Sequence, residues 1–200
     1  MNPAELDFIF EEGDAPGKRR ILAGALHLFA NRGLEGTSVR DIAAAARTTN
    51  PALYKHYTGK DALALQLFVS CYREMWTRLD TAVAARSGFE PKLGAFVNQF
   101  LAFYDAHPEA VLFISENIDA FWPRVPASMA GRSISNLARG LIEEGLEEGA
   151  VKPGIAMEVR VLGIVGQLFQ VGRMIFLNLM EGPGSRWEAD LRRQILQMLR

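Results

Sequence analysis

The chain has 200 residues, with 22 basic and 23 acidic side chains, and 49% of its residues are hydrophobic. Its length suits one small domain followed by one larger helical domain with its own core. The single cysteine, Cys71, excludes an intrachain disulfide, and together with only three scattered histidines it argues against a zinc site. An unpaired cysteine also suits a reducing cytoplasm.

Residues 1–16 are expected to form a flexible acidic arm. They carry five acidic side chains and no basic one, and they include Gly13 and Pro16. They lack the basic start, the long apolar run and the small-residue cleavage site of a secretion signal. The short apolar stretch Phe8–Phe10 either packs against the following residues or has no role, and the second interpretation is favoured.

A first amphipathic helix is predicted over residues 18–32. Four apolar side chains recur at i, i+3, i+4 and i+7, namely Leu22, Ala25, Leu26 and Phe29. This spacing places them on one face of a helix. Gly33 follows as a typical C-terminal cap.

The next predicted helix begins at Ser38. Its hydroxyl can accept a bond from a free helix N–H, and the Asp41 carboxylate can reach back to the main chain of Ser38. A run of alanines over 43–46 lets another helix cross closely. The same start signal recurs at Thr58 and Asp61, which predicts a further helix there.

A short helix is predicted between these two. Thr49 or Asn50 can cap it, Pro51 suits its first turn, and it ends near Tyr57. Two short helices joined by three or four residues have the spacing of a helix-turn-helix motif, whose second helix enters the DNA major groove.

The charge is distributed unevenly along the chain. Residues 17–60 carry eight basic and two acidic side chains, whereas residues 61–200 carry 14 basic and 16 acidic ones. A charged face is often only a solvated face. DNA binding, however, requires a local positive surface rather than a basic protein, and the basic residues coincide with the predicted motif.

A specific pattern of residues extends from Arg20 to Leu63. It consists of Arg20, Ile21, Leu22, Leu28, Phe29, Gly33, Thr37, Ser38, Ile42, Ala43, Leu53, Tyr54, His56, Tyr57, Lys60 and Leu63. In this pattern the chain resembles the TetR family of transcriptional regulators. The resemblance implies an all-α fold. A helix-turn-helix domain over 17–62 would be followed by a ligand-binding and dimerisation domain over 63–200.

The turn of the motif departs from the family pattern. Glycine and a small aliphatic residue are usual there, whereas this chain has Arg47 and Thr48. The first position often requires a positive φ, which glycine adopts without strain. We expect a slightly altered turn with a guanidinium near the DNA phosphates.

The resemblance also implies roles for single positions on a recognition helix over 49–57. The expected readers of base edges are Thr49, Asn50, Ala52 and Lys55. The expected phosphate contacts are Thr37, Ser38, Tyr54, His56 and Lys60, some of them at helix N-termini that attract anions. Arg47 and Thr48 complete the expected DNA-binding set.

Residues 161–180 form an apolar run long enough to cross a bilayer. Polar residues interrupt it, and a charge such as Arg173 is costly in hydrocarbon. The pattern favours a helix buried on most sides of a soluble protein. The family resemblance implies that this helix and the last one pair with a second copy in a homodimer, with Gly163, Gly166 and Gly172 permitting close approach.

The larger domain is expected to bind a hydrophobic or amphipathic effector. Its aromatic residues and its isolated polar residues fit a mostly apolar pocket, although aromatic residues at helical spacing are also typical of a core. The expected lining is Phe100, Tyr104, Phe113, Glu116, Asn117, Phe121, Gln167, Gln170, Arg173 and Met174. The effector would favour a state in which the two helix-turn-helix domains of the homodimer no longer fit DNA.

Catalytic motifs are lacking. No phosphate-binding loop, HExxH motif or dinucleotide fingerprint occurs, so neither an enzyme nor a cofactor is expected. A ligand-released repressor that binds a palindromic operator as a dimer is favoured. The alternative is a helical small-molecule carrier that has lost sequence-specific DNA binding, and Arg47–Thr48 is its only support.

Overall fold

The computed structural model describes residues 3–200, with side chains from Leu6 onward. Every regular element in this range is helical, which confirms the predicted all-α fold. The α-helices are α1 Pro16–Arg32, α2 Val39–Ala45, α3 Asn50–Tyr54, α4 Lys60–Ala84, α5 Phe89–Ala106, α6 Pro108–Phe121, α7 Ile134–Glu147, α8 Met157–Phe176 and α9 Glu188–Leu199. Short 3-10 helices cover Pro3–Ile9, Trp122–Arg124, Ala127–Met129 and Gly184–Trp187.

The described residues form two compact units. The N-terminal unit contains those up to Glu74 together with Glu109–Pro126, and the C-terminal unit contains Met75–Pro108 and Ala127–Arg200. Helix α4 therefore begins in the first unit and ends in the second. The predicted domain boundary after residue 62 lies inside the N-terminal unit and stays a prediction of where the DNA-binding part ends.

The N-terminal unit is built around helix α1. Helix α2 packs on α1, and α3 packs on α2. A Cβ added at Gly24 of α1 would lie 3.4 Å from Ala45 Cβ, so the alanine run of α2 does allow the close crossing. Phe29 of α1 stacks on Phe113 of α6 with 5.6 Å between ring centroids, and His27 Nδ1 lies 2.6 Å from the Glu109 carboxylate.

The N-terminal segment differs from the expected flexible arm. Its described part forms a 3-10 helix, Pro3–Ile9, whose backbone is kinked at Leu6. Leu6 and Ile9 are buried, because the segment packs against α1 and removes these side chains from water. Met1 and Asn2 lie outside the described residues.

In the C-terminal unit, helix α5 contacts α7, α8 and α9. Its buried positions include Phe96, Phe100 and Tyr104, which follow the predicted helical period. The Asp105 carboxylate accepts hydrogen bonds from the main-chain N–H groups of Gly184 and Ser185, at 3.0 Å for Ser185. Helix α5 thereby anchors the turn that leads into α9.

Helix α8 is not buried on most sides, contrary to the prediction. It is long and apolar enough to cross a membrane by length and composition, yet only 28% of its most apolar window is buried. Val159 and Leu162 are 56% and 69% exposed. The prediction assumed that an apolar run must face a core within one chain, but the apolar surface of α8 exceeds what its neighbours cover.

Two of the three α8 glycines have a role within the chain, and the expected role between copies stays a prediction. A Cβ at Gly172 would lie 2.8 Å from the Tyr104 ring, and a Cβ at Gly163 would collide with the Met198 sulfur. These glycines let α5 and α9 approach α8 closely. At Gly166 the nearest atom belongs to Leu162 of the same helix.

Candidate nucleic-acid interface

The turn between α2 and α3 is a Schellman motif with arginine at its left-handed position. The Arg47 N–H donates to Ala44 O at 3.1 Å, and the Thr48 N–H donates to Ala43 O at 2.9 Å. These bonds satisfy carbonyls that the helix end would leave free. Arg47 has φ +50°, which confirms that a non-glycine residue occupies a positive-φ position. The backbone thus follows the course that glycine would give it, with an exposed guanidinium on the turn.

Arg20 fastens this turn to helix α1. Its Nε donates to Ala46 O at 3.1 Å, directly before Arg47. Sequence reasoning assigned Arg20 to the family pattern and to the basic region without a structural role. Its contact partner lies 26 residues away, so local spacing could not reveal it.

Helix α3 presents its polar side chains to solvent. Thr49 has extended backbone angles, and its hydroxyl accepts the Ala52 N–H at 3.3 Å, which confirms it as the cap. Leu53 is buried and fixes the helix on α2, while Asn50, Lys55 and His56 are exposed. The helix ends at Tyr54, earlier than predicted, and further bonds from the N–H groups of residues 56 and 57 to Leu53 O continue one turn.

The remaining positions of this surface differ in exposure. Tyr54 is 55% exposed, whereas Ala52 and Thr48 are half-buried. A half-buried alanine methyl still has an accessible side, and the exposed Tyr54 phenol can reach solvent. The predicted base readers Thr49, Asn50, Ala52 and Lys55 therefore share one short helix and its cap.

Ser38 caps α2 as predicted. Its hydroxyl accepts the Asp41 N–H at 3.2 Å and donates to the Asp41 carboxylate, and its own N–H donates to that carboxylate at 2.9 Å. The hydrogen bond from the Ser38 side chain holds the pKa of Asp41 below its ordinary value. Ser38 remains exposed at the helix N-terminus, so it stays available for a phosphate.

The predicted phosphate contact of Thr37 requires correction, whereas that of Lys60 stays a prediction. Thr37 is buried, and its hydroxyl donates to Gly33 O at 2.9 Å, so its side chain closes the end of α1 instead of facing DNA. Lys60 Nζ donates to Leu34 O at 2.6 Å. Its ammonium therefore holds the loop before α2, a role that its position at a helix start did not indicate.

The start of α4 also differs from the expected capping box. Helix α4 begins at Lys60, and the Asp61 carboxylate accepts two bonds from the Arg124 guanidinium, at 2.9 and 2.5 Å. These bonds lower the pKa of Asp61. Asp61 therefore joins α4 to the segment after α6 and does not pair with Thr58 as predicted.

The expected effector-binding residues are divided between the two units. Those in the N-terminal unit are Phe113, Glu116, Asn117 and Phe121. Phe113 and Phe121 are fully buried with 6.3 Å between ring centroids, and Asn117 Nδ2 donates to Phe113 O at 2.8 Å. Glu116 is exposed. Within this unit the aromatic residues act as core.

The C-terminal unit holds the other six, Phe100, Tyr104, Gln167, Gln170, Arg173 and Met174. Phe100 meets Phe169 edge to face at 5.0 Å, and Tyr104 lies against Gly172. Among the described residues, Gln167 Oε1 is buried without a hydrogen-bond donor. A buried acceptor of this kind can receive a bond from a ligand.

Two open grooves occur in the C-terminal unit, with volumes of about 520 and 650 Å³. Arg192 of α9 and Pro91 of α5 line both, and Arg86, between α4 and α5, lines the smaller one. None of the ten expected effector-binding residues lines either groove. The expected pocket therefore stays a prediction.

Comparison with known proteins identifies the same motif. The profile of the bacterial regulatory proteins of the tetR family matches residues 21–67. The HTH-type transcriptional repressor KstR2 of Rhodococcus jostii (strain RHA1) is 25% identical over 150 residues, which are 74% of each chain.

Solved structures share the fold over nearly the whole chain. A bacterial regulatory protein in the tetR family from Rhodococcus RHA1 has a TM-score of 0.81 at 21% identity, covering 93% of this chain and 98% of that chain. The ketosteroid transcriptional regulator KstR2 of Mycobacterium tuberculosis has a TM-score of 0.77 at 18% identity, covering 94% and 95%.

The capped helices, the turn at Arg47 and the basic residues around them lie within the matched residues. The relatives extend the likeness through the larger helical part. The resemblance inferred from Arg20 to Leu63 is thereby confirmed, because residues 21–67 match the model of the tetR family of bacterial regulatory proteins.

Proposed function

We propose that the chain is a cytoplasmic, ligand-responsive transcriptional repressor that binds a palindromic operator as a homodimer. The observation that carries this proposal is the presentation of α3. Its cap at Thr49 and its buried Leu53 fix the helix, while Asn50 and Lys55 project into solvent. A fixed helix with exposed hydrogen-bonding groups is suited to reading base edges in the major groove.

Asn50 and Lys55 are the proposed readers with the most distinctive chemistry. An asparagine amide can bond adenine with both a donor and an acceptor, and a lysine can donate to the acceptors of guanine. Ser38, Tyr54, His56 and the Arg47 guanidinium are proposed to contact phosphates, which position the helix without reading sequence.

A homodimer through α8 and α9 is supported by exposed apolar surface. Val159 and Leu162 project from α8 at 56% and 69% exposure. A second copy would remove this surface from water, and a two-fold dimer presents two reading heads to a palindrome. Substituting Leu162→Glu should give monomers in sedimentation experiments and lose operator affinity, and a dimer that persists would contradict this interface.

The proposed effector is hydrophobic or amphipathic. A relative at 25% identity is a repressor, and a solved neighbour is named a ketosteroid regulator, so a steroid-like compound is one member of this class. The buried Gln167 Oε1 would accept a hydrogen bond from the ligand. An effector with a tenfold preference for the DNA-free state shifts binding by about 1.4 kcal/mol.

The carrier interpretation loses its support. It depended on Arg47–Thr48 disturbing the turn, yet Arg47 adopts φ +50° and the turn keeps both bonds of the Schellman motif. A carrier would show only weak, salt-sensitive binding to any duplex.

Selection of bound DNA from random duplexes tests the proposal. We expect a palindrome to be enriched by the unmodified protein. Asn50→Ala and Lys55→Ala should each weaken binding and relax preference at one position per half-site, by about 1–3 kcal/mol. Lys152→Ala is the matched control, because it removes one exposed lysine from the C-terminal unit. Failure to enrich any sequence would overturn the proposal.

A further inference from the structure

The acidic N-terminal segment is paired with the basic start of α1. Lys18 Nζ donates to Asp14 Oδ1 at 2.7 Å and to Glu11 Oε2 at 3.2 Å. The other Asp14 oxygen accepts the Glu11 N–H at 2.9 Å. The side chains of Asp14 and Lys18 are only 6% and 16% exposed, so this ion pair is largely withdrawn from solvent.

Arg19 is engaged by the same segment. Its Nε donates to Asp14 O at 3.2 Å, and its guanidinium lies over the Phe10 ring at 5.1 Å from the centroid. The buried side chains of Leu6 and Ile9 anchor the preceding turn. The segment is thus attached to α1 by apolar burial and by charge, and two adjacent cations of the basic region are occupied.

This contact lies on the helix that supports the turn before α3. Lys18 and Arg19 directly precede Arg20, whose Nε donates to Ala46 O at 3.1 Å, next to the exposed Arg47. Two carboxylates and the cation that they bind therefore lie within a few residues of the contact that holds the proposed DNA-binding surface.

The charges at this contact are firmly held. The hydrogen bond to Asp14 raises the pKa of Lys18, with burial acting in the opposite direction. Burial acts to raise the pKa of Asp14, but the bonds from Lys18 and from the Glu11 N–H outweigh it and lower the pKa. Both groups are ionised at neutral pH, and two of the three Lys18 ammonium donors, with its charge, are already engaged by carboxylates.

We propose that Glu11 and Asp14 are specificity-determining residues, which occupy the Lys18 ammonium and thereby limit affinity for DNA of arbitrary sequence. This inference rests on the proposed DNA-binding function. Phosphate contacts supply the sequence-independent part of affinity, whereas contacts to base edges carry discrimination. Withholding one cation from phosphate lowers non-specific binding and raises the ratio between operator and competing sites.

The test measures affinity for a duplex of arbitrary sequence against salt concentration. In Glu11→Gln/Asp14→Asn, freeing Lys18 for one phosphate should steepen the slope of log K against log salt by about 0.9, or up to about eightfold in affinity at 0.1 M salt. Adding Lys18→Gln to this variant should cancel the gain.

Glu12→Gln is the matched control, because it removes one negative charge from an exposed residue of the same segment. If Glu12→Gln raises the affinity for this duplex as much, per charge removed, as the double variant does, the effect comes from net charge and the inference is overturned. An unchanged affinity and slope would also overturn it. If Asp14→Asn lowers the melting temperature below the assay range, Glu11→Gln alone should still give a smaller gain, and its absence would overturn the inference. Failure of the unmodified protein to enrich a palindrome would count only against the proposed function.

Discussion

Arg20 Nε donates to Ala46 O across 3.1 Å, and Ala46 precedes the left-handed residue that redirects the chain into α3. This bond makes the first helix of the N-terminal unit a support for the turn of the motif. We predict that Arg20→Ala destabilises the protein by about 1 kcal/mol, the net worth of such a bond. It should also lower operator affinity, because α3 is held less firmly. Denaturant unfolding and binding isotherms measure the two effects, and an unaltered stability would refute the support role.

Arg47→Gly should increase stability and weaken DNA binding. Arginine at φ +50° is strained by its Cβ, whereas glycine is not, so the substitution should stabilise the fold by about 1 kcal/mol. Loss of the guanidinium should remove one proposed phosphate contact and reduce the salt slope by about 0.9. Thermal unfolding and salt-dependent binding test this prediction.

Asn178→Gly is the control for Arg47→Gly. Asn178 is the other described non-glycine residue with positive φ, at +56° after α8, and its turn has the same two bonds, from residue 178 to Ile175 O and from Leu179 to Met174 O. We expect a smaller gain in stability, because asparagine tolerates this conformation better. Operator affinity should be unchanged. A similar loss of DNA binding in both variants would show that backbone change alone, without the guanidinium, explains it.

Local signals predicted the local structure of the reading motif. The pairs Ser38–Asp41 and Thr49–Ala52 lie three residues apart, so the capping groups and their partners are visible in the sequence. The positive φ at Arg47 followed from the glycine that the family usually has there. Each of these features depends on hydrogen bonds between residues that lie within a few positions of each other in the sequence.

Features that depend on distant partners were missed. Lys60 Nζ donates to Leu34 O and Asp61 accepts from Arg124 across 63 residues, and neither bond could be predicted from a position at a helix start. Asp105 anchors the turn before α9 from 80 residues away. The exposed face of α8 was missed for a related reason. Hydropathy reports how apolar a helix is, but it does not report how much of that surface its own chain covers.

Acid should destabilise the N-terminal unit through two carboxylates whose pKa is lowered in the folded state. The pKa values of Asp41 and Asp61 are lowered by hydrogen bonds from Ser38 and Arg124, relative to an ordinary value of 3.8. A carboxylate with a lowered native pKa binds protons less readily in the folded state. The carboxylate therefore stabilises the fold at a pH above its ordinary pKa. This contribution to the free energy of unfolding is lost as the pH falls from the ordinary pKa through the lower pKa of the folded state.

Unfolding by denaturant between about pH 5 and pH 2 measures this acid limb, the fall in unfolding free energy as the pH is lowered. Ser38→Ala should reduce stability near neutral pH and flatten the limb, because Asp41 then loses the side-chain hydrogen bond that lowers its pKa. Asp119→Asn, an exposed aspartate on α6 of the same unit, should leave the limb unchanged. A limb of equal slope in the Ser38 variant would contradict the assignment.

Among the charged residues of the C-terminal unit, we expect substitution of Arg160 to reduce the stability of the protein most. It is 2% exposed, its Nε donates to Ile155 O at 3.0 Å, and its Nη2 donates to Lys152 O. Removing the guanidinium would leave two carbonyls without this donor, and bonds to a charged group are each worth about 1.5–3 kcal/mol. The cost of burying the charge offsets part of that sum, so we predict a net loss of about 2–3 kcal/mol for Arg160→Ala.

The location of these bonds explains why the loss should extend beyond one loop. Lys152 also donates its N–H to Leu199 O at 3.0 Å, so the segment held by Arg160 is in turn bonded to the end of α9. Arg160→Ala should therefore lower the unfolding midpoint and, by loosening α8 against α9, weaken the proposed dimer. Arg139→Ala removes an exposed arginine paired with Glu158 at 3.3 Å and should change neither property measurably. Equal midpoints for the two variants would show that the Arg160 bonds do not support the end of the chain.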